Sequence, residues 1–313
     1  MSTTWRKGRI ENNNIKATDI RQPRKEDEVA ETGERSVLFA SEIPIRSLEN
    51  LIVPSHTKEQ IFSLIAKIQN HRVLYQDWGL QDIDPNGGHT AINLYGPPGT
   101  GKSFCAEAVA NYLHLKLIRV NYAEIESKYV GETPKNIKAA FAKANEEGAV
   151  LFFDEADSIL GKRLTNVTQS ADHGVNVSRS VMLLELDRFS GVTIFATNLA
   201  SNYDSAFVRR ITVHVEMPLP DHECRVRLWN YHIPSKLPTS PQPFNESALS
   251  HLSKESDGLS GGDILNAVIT AATYAVQREK SKQQVTIDDL VKAIQITKKA
   301  KQEVGYPTSI PLV

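Results

Sequence analysis

The sequence predicts an α/β fold, in which a parallel five-stranded sheet with helices on both faces is followed by a small all-α domain. Two observations predict it. Five short apolar runs alternate with stretches of helical period, which is the pattern of a parallel sheet covered on both faces. Beyond Pro218 the apolar residues follow a helical period only. The five apolar runs are residues 91–95, 116–120, 150–153, 192–196 and 211–217.

Changes in composition divide the chain into four predicted regions. Residues 1–35 are rich in charged residues and asparagine. Such a segment buries too little apolar surface to offset its chain entropy, so we expect a flexible N-terminal arm. Residues 36–217 make up the predicted α/β domain, residues 218–300 the small helical lid domain and residues 301–313 a C-terminal tail. Helices of the lid domain are expected at 221–232, 245–256, 260–280 and 286–299.

The overall composition argues against several kinds of protein. Lys and Arg total 36 against 37 Asp and Glu, a net charge of −1, whereas a surface that coats nucleic acid needs a basic excess. No apolar stretch approaches the roughly 20 residues that a membrane span requires. The two cysteines, Cys105 and Cys224, are too few for a disulfide framework or a zinc site. These features favour a cytoplasmic protein that contacts neither nucleic acid nor membrane.

The strongest chemical signal is the segment 96–103, which follows an apolar run and opens a helical stretch. It has the form GxxxxGK[ST] in the strand–loop–helix setting of a phosphate-binding P-loop. In such a loop the backbone N–H groups face phosphate oxygens, and the helix N-terminus adds partial positive charge. We expect Lys102 to reach the β- and γ-phosphates of ATP and Ser103 to bind Mg²⁺. The predicted nucleotide-binding residues of this motif are Gly96, Pro97, Pro98, Gly99, Thr100, Gly101, Lys102, Ser103 and Phe104.

Two carboxylates, Asp154 and Glu155, directly follow the third apolar run. Open α/β sheets bind their ligands at the carboxyl ends of the strands. We therefore predict that Asp154 binds Mg²⁺ through water and that Glu155 is the general base for the attacking water. The alternative interpretation is a solvated strand end, which the P-loop upstream disfavours.

A polar residue, Asn198, ends the fourth apolar run, on the strand expected between those of the two preceding motifs. Its amide can orient a water molecule against the γ-phosphate, so we predict a catalytic sensor. The alternative interpretation is a turn residue, a common role for asparagine. The presence of the two other motifs favours the sensor.

Four motifs resemble those of the AAA ATPases, the branch of the P-loop AAA+ superfamily that holds protein unfoldases and disassembly motors. The resemblance extends from about Leu48 to Lys299, with the motifs in family order. It implies ATP and Mg²⁺ as ligands, ATP hydrolysis, and assembly into a homo-oligomeric ring, most often a hexamer. The motifs are Tyr95 to Ser103, Asp154 to Ser158, Ala196 to Asn198, and Gly258 to Ile264.

The resemblance also assigns an arginine finger, a side chain that reaches the γ-phosphate in the neighbouring subunit. Arg209 and Arg210 occupy the matching positions, and a planar, always-charged guanidinium suits the charge of the transition state. Many relatives carry a further basic pair just downstream, where this chain has Val213 and His214. The structural alternative is surface charge ahead of a strand.

The resemblance to the AAA ATPases also implies a pore loop that grips the substrate, because residues of this chain occupy the matching positions. Residues Lys128, Tyr129, Val130 and Gly131 resemble the first pore loop of the family. An aromatic residue followed by an apolar one offers a sequence-tolerant grip on an extended chain. A second pore-facing loop is expected within the polar segment 164–177.

Further positions match residues that surround the adenosine group in the family. Gly261 and Gly262 correspond to glycines whose backbone packs on adenine, and Leu51 and Ile52 to the segment on its other side. His232 corresponds to a histidine near the ribose. The sensor-2 arginine of other AAA+ branches is not present near Gly262. Each of Leu51, Ile52 and His232 could instead be an ordinary core residue.

The function predicted from these features is an ATP-driven motor that remodels, unfolds or disassembles a protein substrate, with or without an adaptor. A narrower interpretation is a compact pachytene-checkpoint-type ATPase that remodels HORMA-domain proteins, suggested by Ala206-Phe207-Val208. A second class is DNA-directed action of the clamp-loader or initiator type, which the near-neutral charge disfavours.

Overall fold

A computed structural model describes residues 39–84, 89–121, 132–161, 170–198, 201 and 203–304 of the chain. The predicted N-terminal arm lies outside these residues. A six-stranded sheet forms the centre of the first domain, with the spatial order β1-β3-β4-β5-β2-β6. Its strands are β1 (Ser41–Glu42), β2 (Thr90–Tyr95), β3 (Leu117–Asn121), β4 (Val150–Asp154), β5 (Val192–Thr197) and β6 (Val213–Glu216).

The five predicted strands are present and mutually parallel, from β2 to β6. The sequence analysis did not predict β1, which pairs antiparallel with the outer edge of β3. A strand of two residues carries no apolar period, so the sequence offers no sign of it. Because β2 lies between β5 and β6, the loop that follows β2 emerges next to the ends of both strands.

Helices cover both faces of the sheet, as predicted. One face packs against α3 to α6 around Phe153 and Phe195. The other packs against α1 and α2 around Leu94 and Phe152. These helices are α1 (Ser55–Gln69), α2 (Lys102–Tyr112), α3 (Glu132–Glu147), α4 (Asp157–Leu160), α5 (Ser170–Arg188) and α6 (Ser205–Arg210).

The second domain contains four helices that pack around the fully buried Trp229. They are α7 (His222–His232), α8 (Glu246–Glu255), α9 (Gly261–Val276) and α10 (Ile287–Glu303). Side-chain caps begin each of them: Asp221, Asn245, Ser260 and Thr286. Among the described residues, no helix is both long and apolar enough to cross a membrane.

The second domain differs from its prediction in two details. It is not strictly all-α, because β7 (Thr239–Ser240) and β8 (Val285–Thr286) form a two-residue parallel ladder. Such a ladder is too short to leave a pattern in the sequence. Helix α10 also continues to Glu303, beyond the expected boundary at residue 300, because the helical period of polar and apolar residues extends past it.

Substitution of the buried Trp229 tests the packing of the helical domain. Its indole Nε1–H donates a hydrogen bond of 2.9 Å to Ser256 Oγ inside the core. Replacing Trp229 with Phe should lower the free energy of unfolding by about 1–3 kcal/mol, because both the hydrogen bond and part of the packing are lost. Urea denaturation followed by circular dichroism measures this loss.

Trp78 provides the matched control, since 71% of its surface is exposed. The change Trp78→Phe should alter the free energy of unfolding by no more than about 0.5 kcal/mol. Equal effects of the two substitutions would contradict the assignment of Trp229 to the core.

Candidate active site

A cleft of about 970 Å³ lies between the carboxyl ends of the parallel strands and the helical domain. The cleft is lined by the loop after β2, the ends of β3 to β5, the segment before α1, and helices α7 and α9. It brings together most of the site residues that the sequence predicts. Those lining it are Leu51, Ile52, Pro98, Gly99, Thr100, Gly101, Lys102, Ser103, Phe104, Asp154, Glu155, Asn198, His232, Gly261 and Gly262.

The loop after β2 begins with a glycine that no other residue can replace without strain. Gly96 has φ +145°, and a Cβ there would collide with the carbonyl group of Met217, just after β6. The Met217 N–H donates to the Tyr95 carbonyl at 2.7 Å, which fixes that close approach. This close approach fixes the path of the chain as it leaves β2. Gly96 and Pro97 supply carbonyl groups to the inside of the loop, and neither residue lines the cleft.

Lys102 is held inside this loop. Its ammonium group donates to the carbonyl oxygens of Gly96 and Pro97, both at 2.8 Å, and to Asn198 Oδ1 at 2.9 Å. Burial lowers the pKa of Lys102 to about 8, and the nearby carboxylates of Asp154 and Asp157 oppose that shift. Lys102 therefore joins the loop to the end of β5 through a cation that is largely withdrawn from water.

Ser103 and Asp154 form a pair of oxygen donors at the first turn of α2. Ser103 Oγ donates to Asp154 Oδ2 at 2.8 Å. Hydroxyl and carboxylate oxygens are the ligands that Mg²⁺ uses in nucleotide sites, usually together with waters and phosphates. These two residues fit a bound Mg²⁺ by their chemistry and by their convergence on the cleft.

Glu155 has an unusual backbone. Its φ is +52°, one of only two positive values at non-glycine positions in the described part of the chain. Its N–H donates to Asp154 Oδ1 at 3.0 Å. Conformations of this kind cost free energy and are concentrated at functional sites. The turn sends the Glu155 side chain to the exposed side of the cleft, where a water molecule has access to it.

Three further residues, two lining the cleft and one bonded to Asn198, were not assigned a role from the sequence. Arg119 Nη1 lies 3.9 Å from Asp154 Oδ2, and Asn121 lies beside Asp154 in the β3–β4 register. Asp157 accepts hydrogen bonds from the end of β5. The available signal was position: Arg119 is a lone charge in an apolar strand, and Asn121 ends a strand as Asn198 does.

The helical domain closes the other side of the cleft by direct contact with the loop. The Gly262 N–H, at the start of α9, donates to the Gly99 carbonyl at 3.0 Å. A Cβ at Gly99 would come within 2.5 Å of Ser260 Oγ. His232 is half-buried, and burial lowers its pKa. Leu51 and Ile52 line the same end of the cleft.

The structure distinguishes Arg209 from Arg210, whereas the sequence motif gives both the same predicted role. Neither lines the cleft of its own chain. Arg210 is engaged by Asp187 of α5 through two hydrogen bonds of 2.8 Å. Arg209 is exposed, and among the described residues it makes no ion pair. Of the two, Arg209 is the one whose guanidinium is available to another subunit.

The predicted pore loops cannot be compared in full with the structure. Residues 128–131 lie outside the described residues. Within the expected second loop, at 164–177, the residues from Ser170 onward are helical and belong to α5. Polar composition alone does not exclude a helix, which is why the loop prediction was wrong for that part.

The lowered pKa of Lys102 predicts how pH affects nucleotide binding. A deprotonated amine cannot neutralise phosphate, so affinity is retained below pH 8 and is lost as the pH rises above it. Binding of ADP with Mg²⁺, measured by calorimetry, should be about tenfold weaker at pH 9 than at pH 7.

The substitution Lys102→Arg keeps a permanent charge at this position. Its affinity, although altered by geometry, should stay constant between pH 7 and pH 9 because arginine does not titrate in this range. A parallel pH dependence in both proteins would show that another group is responsible.

Comparison with known proteins identifies a matching family and several relatives of this chain. The family model "ATPase family associated with various cellular activities (AAA)" matches residues 92–219. The proteasome-activating nucleotidase of Archaeoglobus fulgidus is 35% identical over 220 residues, which cover 68% of this chain and 52% of the nucleotidase. For 26S proteasome subunit RPT4 of Saccharomyces cerevisiae, the identity is 34% over 221 residues, covering 68% of this chain and 49% of the subunit.

A longer match is found with the proteasome-activating nucleotidase of Saccharolobus solfataricus, 32% identical over 276 residues, or 82% of this chain and 67% of the nucleotidase. The chain spans about half the length of the two relatives above. The family match over residues 92–219 spans the loop after β2, Asp154, Glu155 and Asn198. We conclude that this chain belongs to the AAA family of ATPases.

Proposed function

We propose that this chain is the ATP-hydrolysing subunit of a homohexameric ring that remodels, unfolds or disassembles a protein partner. The observation that carries the proposal is the convergence of Lys102, Asp154 and Asn198, from three separate elements, on one cleft. ATP hydrolysis follows from the family; the ring, the metal and the substrate are the proposed part.

The predicted site residues of the cleft divide the tasks of hydrolysis among them. Lys102 and the loop hold the phosphates, and Ser103 with Asp154 hold Mg²⁺, which when bound neutralises phosphate charge. Glu155 accepts the proton of the attacking water, and Asn198 orients that water. Leu51, Ile52 and Gly261 enclose the adenosine group, with His232 beside the ribose.

Two surfaces support assembly. Arg209 is exposed and does not line the cleft of its own chain, so as an arginine finger it would act at the site of a neighbouring subunit. Helix α9 exposes an apolar stripe of Leu265, Ile269 and Val276, of which Val276 is 62% exposed. Exposed apolar stripes of this kind mark protein interfaces, and a ring of identical subunits buries the same stripe in each copy.

The protein substrate is supported by the relatives and by one sequence motif. The relatives are named as proteasome-activating nucleotidases and a proteasome subunit, and Tyr129-Val130 offers a grip on an extended polypeptide. The interpretation as a HORMA-domain remodeller is not supported by these relatives, and we set it aside. A near-neutral chain with no basic excess also gives no support to a DNA substrate.

A mixing experiment tests catalysis across a subunit boundary. Glu155→Gln should bind ATP without turnover because it lacks the base, and Arg209→Ala should fail because it lacks the finger. A 1:1 mixture of the two variants should recover up to about a quarter of wild-type turnover, since that fraction of interfaces pairs an intact Glu155 with an intact Arg209. Phosphate release measures it.

Arg210→Ala mixed with Glu155→Gln is the matched control, because Arg210 is already engaged by Asp187. Turnover by Glu155→Gln alone would overturn the general-base assignment. Absence of recovery in the Arg209 mixture, with assembly confirmed by light scattering, would overturn the shared site.

Protein remodelling is tested at the predicted pore loop. Tyr129→Ala should keep basal ATP turnover within about twofold and lose ATP-dependent unfolding of a tagged fluorescent protein, because the aromatic grip is removed. Tyr129→Phe keeps the ring and should keep unfolding. Unfolding that survives Tyr129→Ala would show that this loop does not hold the substrate.

A further inference from the structure

Asp157 fixes the end of strand β5 from outside the strand. It is the first residue of α4, the single helical turn that follows Glu155 and Ala156. Its Oδ1 accepts the N–H of Asn198 at 2.9 Å and, in a still shorter hydrogen bond, the hydroxyl of Thr197. One carboxylate oxygen therefore satisfies two consecutive residues just where the sheet ladder ends.

Asn198 is consequently held from two sides. Its backbone is bound to Asp157, and its side-chain Oδ1 accepts from Lys102 at 2.9 Å. Asn198 is exposed, so packing against neighbouring side chains does not fix its position. The two hydrogen bonds are what set the direction of its amide group.

Helix α4 is a rigid support for Asp157. Ile159 and Leu160 are fully buried in the core beneath it. The Ala156 N–H donates to the Ala196 carbonyl at 2.9 Å, and Arg179 Nη2 donates to the Ser158 carbonyl at 2.6 Å. These contacts hold the start of α4 against the sheet and the core, and with it the carboxylate of Asp157.

The hydrogen bonds of the Asp157 carboxylate all lead to one place, the end of β5. Among the described residues it forms no ion pair, and as part of α4 it bonds only to the end of β5 in the hydrogen bonds described above. An acidic residue that served only the helix dipole would gain little in a single turn. The contacts instead join α4 to the residue that faces Lys102.

We propose that Asp157 is a positioning residue for ATP hydrolysis: it holds Asn198 so that its amide orients the attacking water. This inference rests on the proposed function of the cleft. Asp157 is then needed for turnover although it contacts neither the nucleotide nor the metal.

The test compares three substitutions by their effects on kcat, KM and nucleotide affinity. Asp157→Ala should lower kcat about ten- to a hundredfold, because small misplacements of a catalytic group are costly. KM and the Kd for ADP should stay within about threefold, since Lys102 and the loop remain in place. Asp157→Asn keeps an acceptor oxygen at the same position and should restore most of kcat.

Asp157→Glu places the carboxylate one methylene further from the backbone and should lower kcat as Asp157→Ala does. This variant keeps the test valid if the alanine variant does not fold. Asp289→Ala is the matched control in the helical domain: Asp289 accepts from the Thr286 N–H and hydroxyl in the same way. It should lower thermal stability without changing kcat.

Two outcomes overturn the inference: an unchanged kcat in folded Asp157→Ala, or an Asp157→Asn variant that is as impaired as Asp157→Ala. Either result leaves the proposed function intact provided that the wild-type chain hydrolyses ATP and Glu155→Gln does not. If the wild-type chain does not hydrolyse ATP, or if Glu155→Gln does, the result counts instead against the proposed function itself.

Discussion

The buried ammonium group of Lys102 holds the site together. It is bound by two carbonyl groups of the loop after β2 and by Asn198 at the end of β5. A buried cation is unfavourable unless it is fully hydrogen-bonded, so the loop and the strand end must keep their relative positions to satisfy it. The remaining groups, Ser103 with Asp154 and Glu155, are arranged around this fixed point.

The carboxyl edge of the sheet explains why so many functional groups meet there. Strands β2, β4 and β5 end side by side, and each delivers a different group: the loop, the carboxylates and the amide. The groups approach one another because the strands are parallel, although they are distant in sequence. Helix α4 then links the end of β4 back to the end of β5, so that the predicted catalytic residues form one connected set.

Much of this could be predicted from the sequence, because strong local patterns encode it. Apolar runs predicted the five parallel strands, and the loop motif predicted Lys102 and Ser103. The two-residue β1 has no pattern to detect. The difference between Arg209 and Arg210 depends on Asp187, which the fold brings beside Arg210 from the preceding helix. Likewise, the role of Asp157 appears only when α4 and β5 are seen in contact.

The contact between Gly99 and the start of α9 has a mechanical consequence. Helix α9 has 16 residues and is therefore about 24 Å long. Its first turn is bonded to Gly99 in the loop after β2. A tilt of about 10° at this pivot would carry the far end of the helix through about 4 Å. Small shifts of the loop after β2 can thus be amplified by leverage into larger displacements at the far end of the helix.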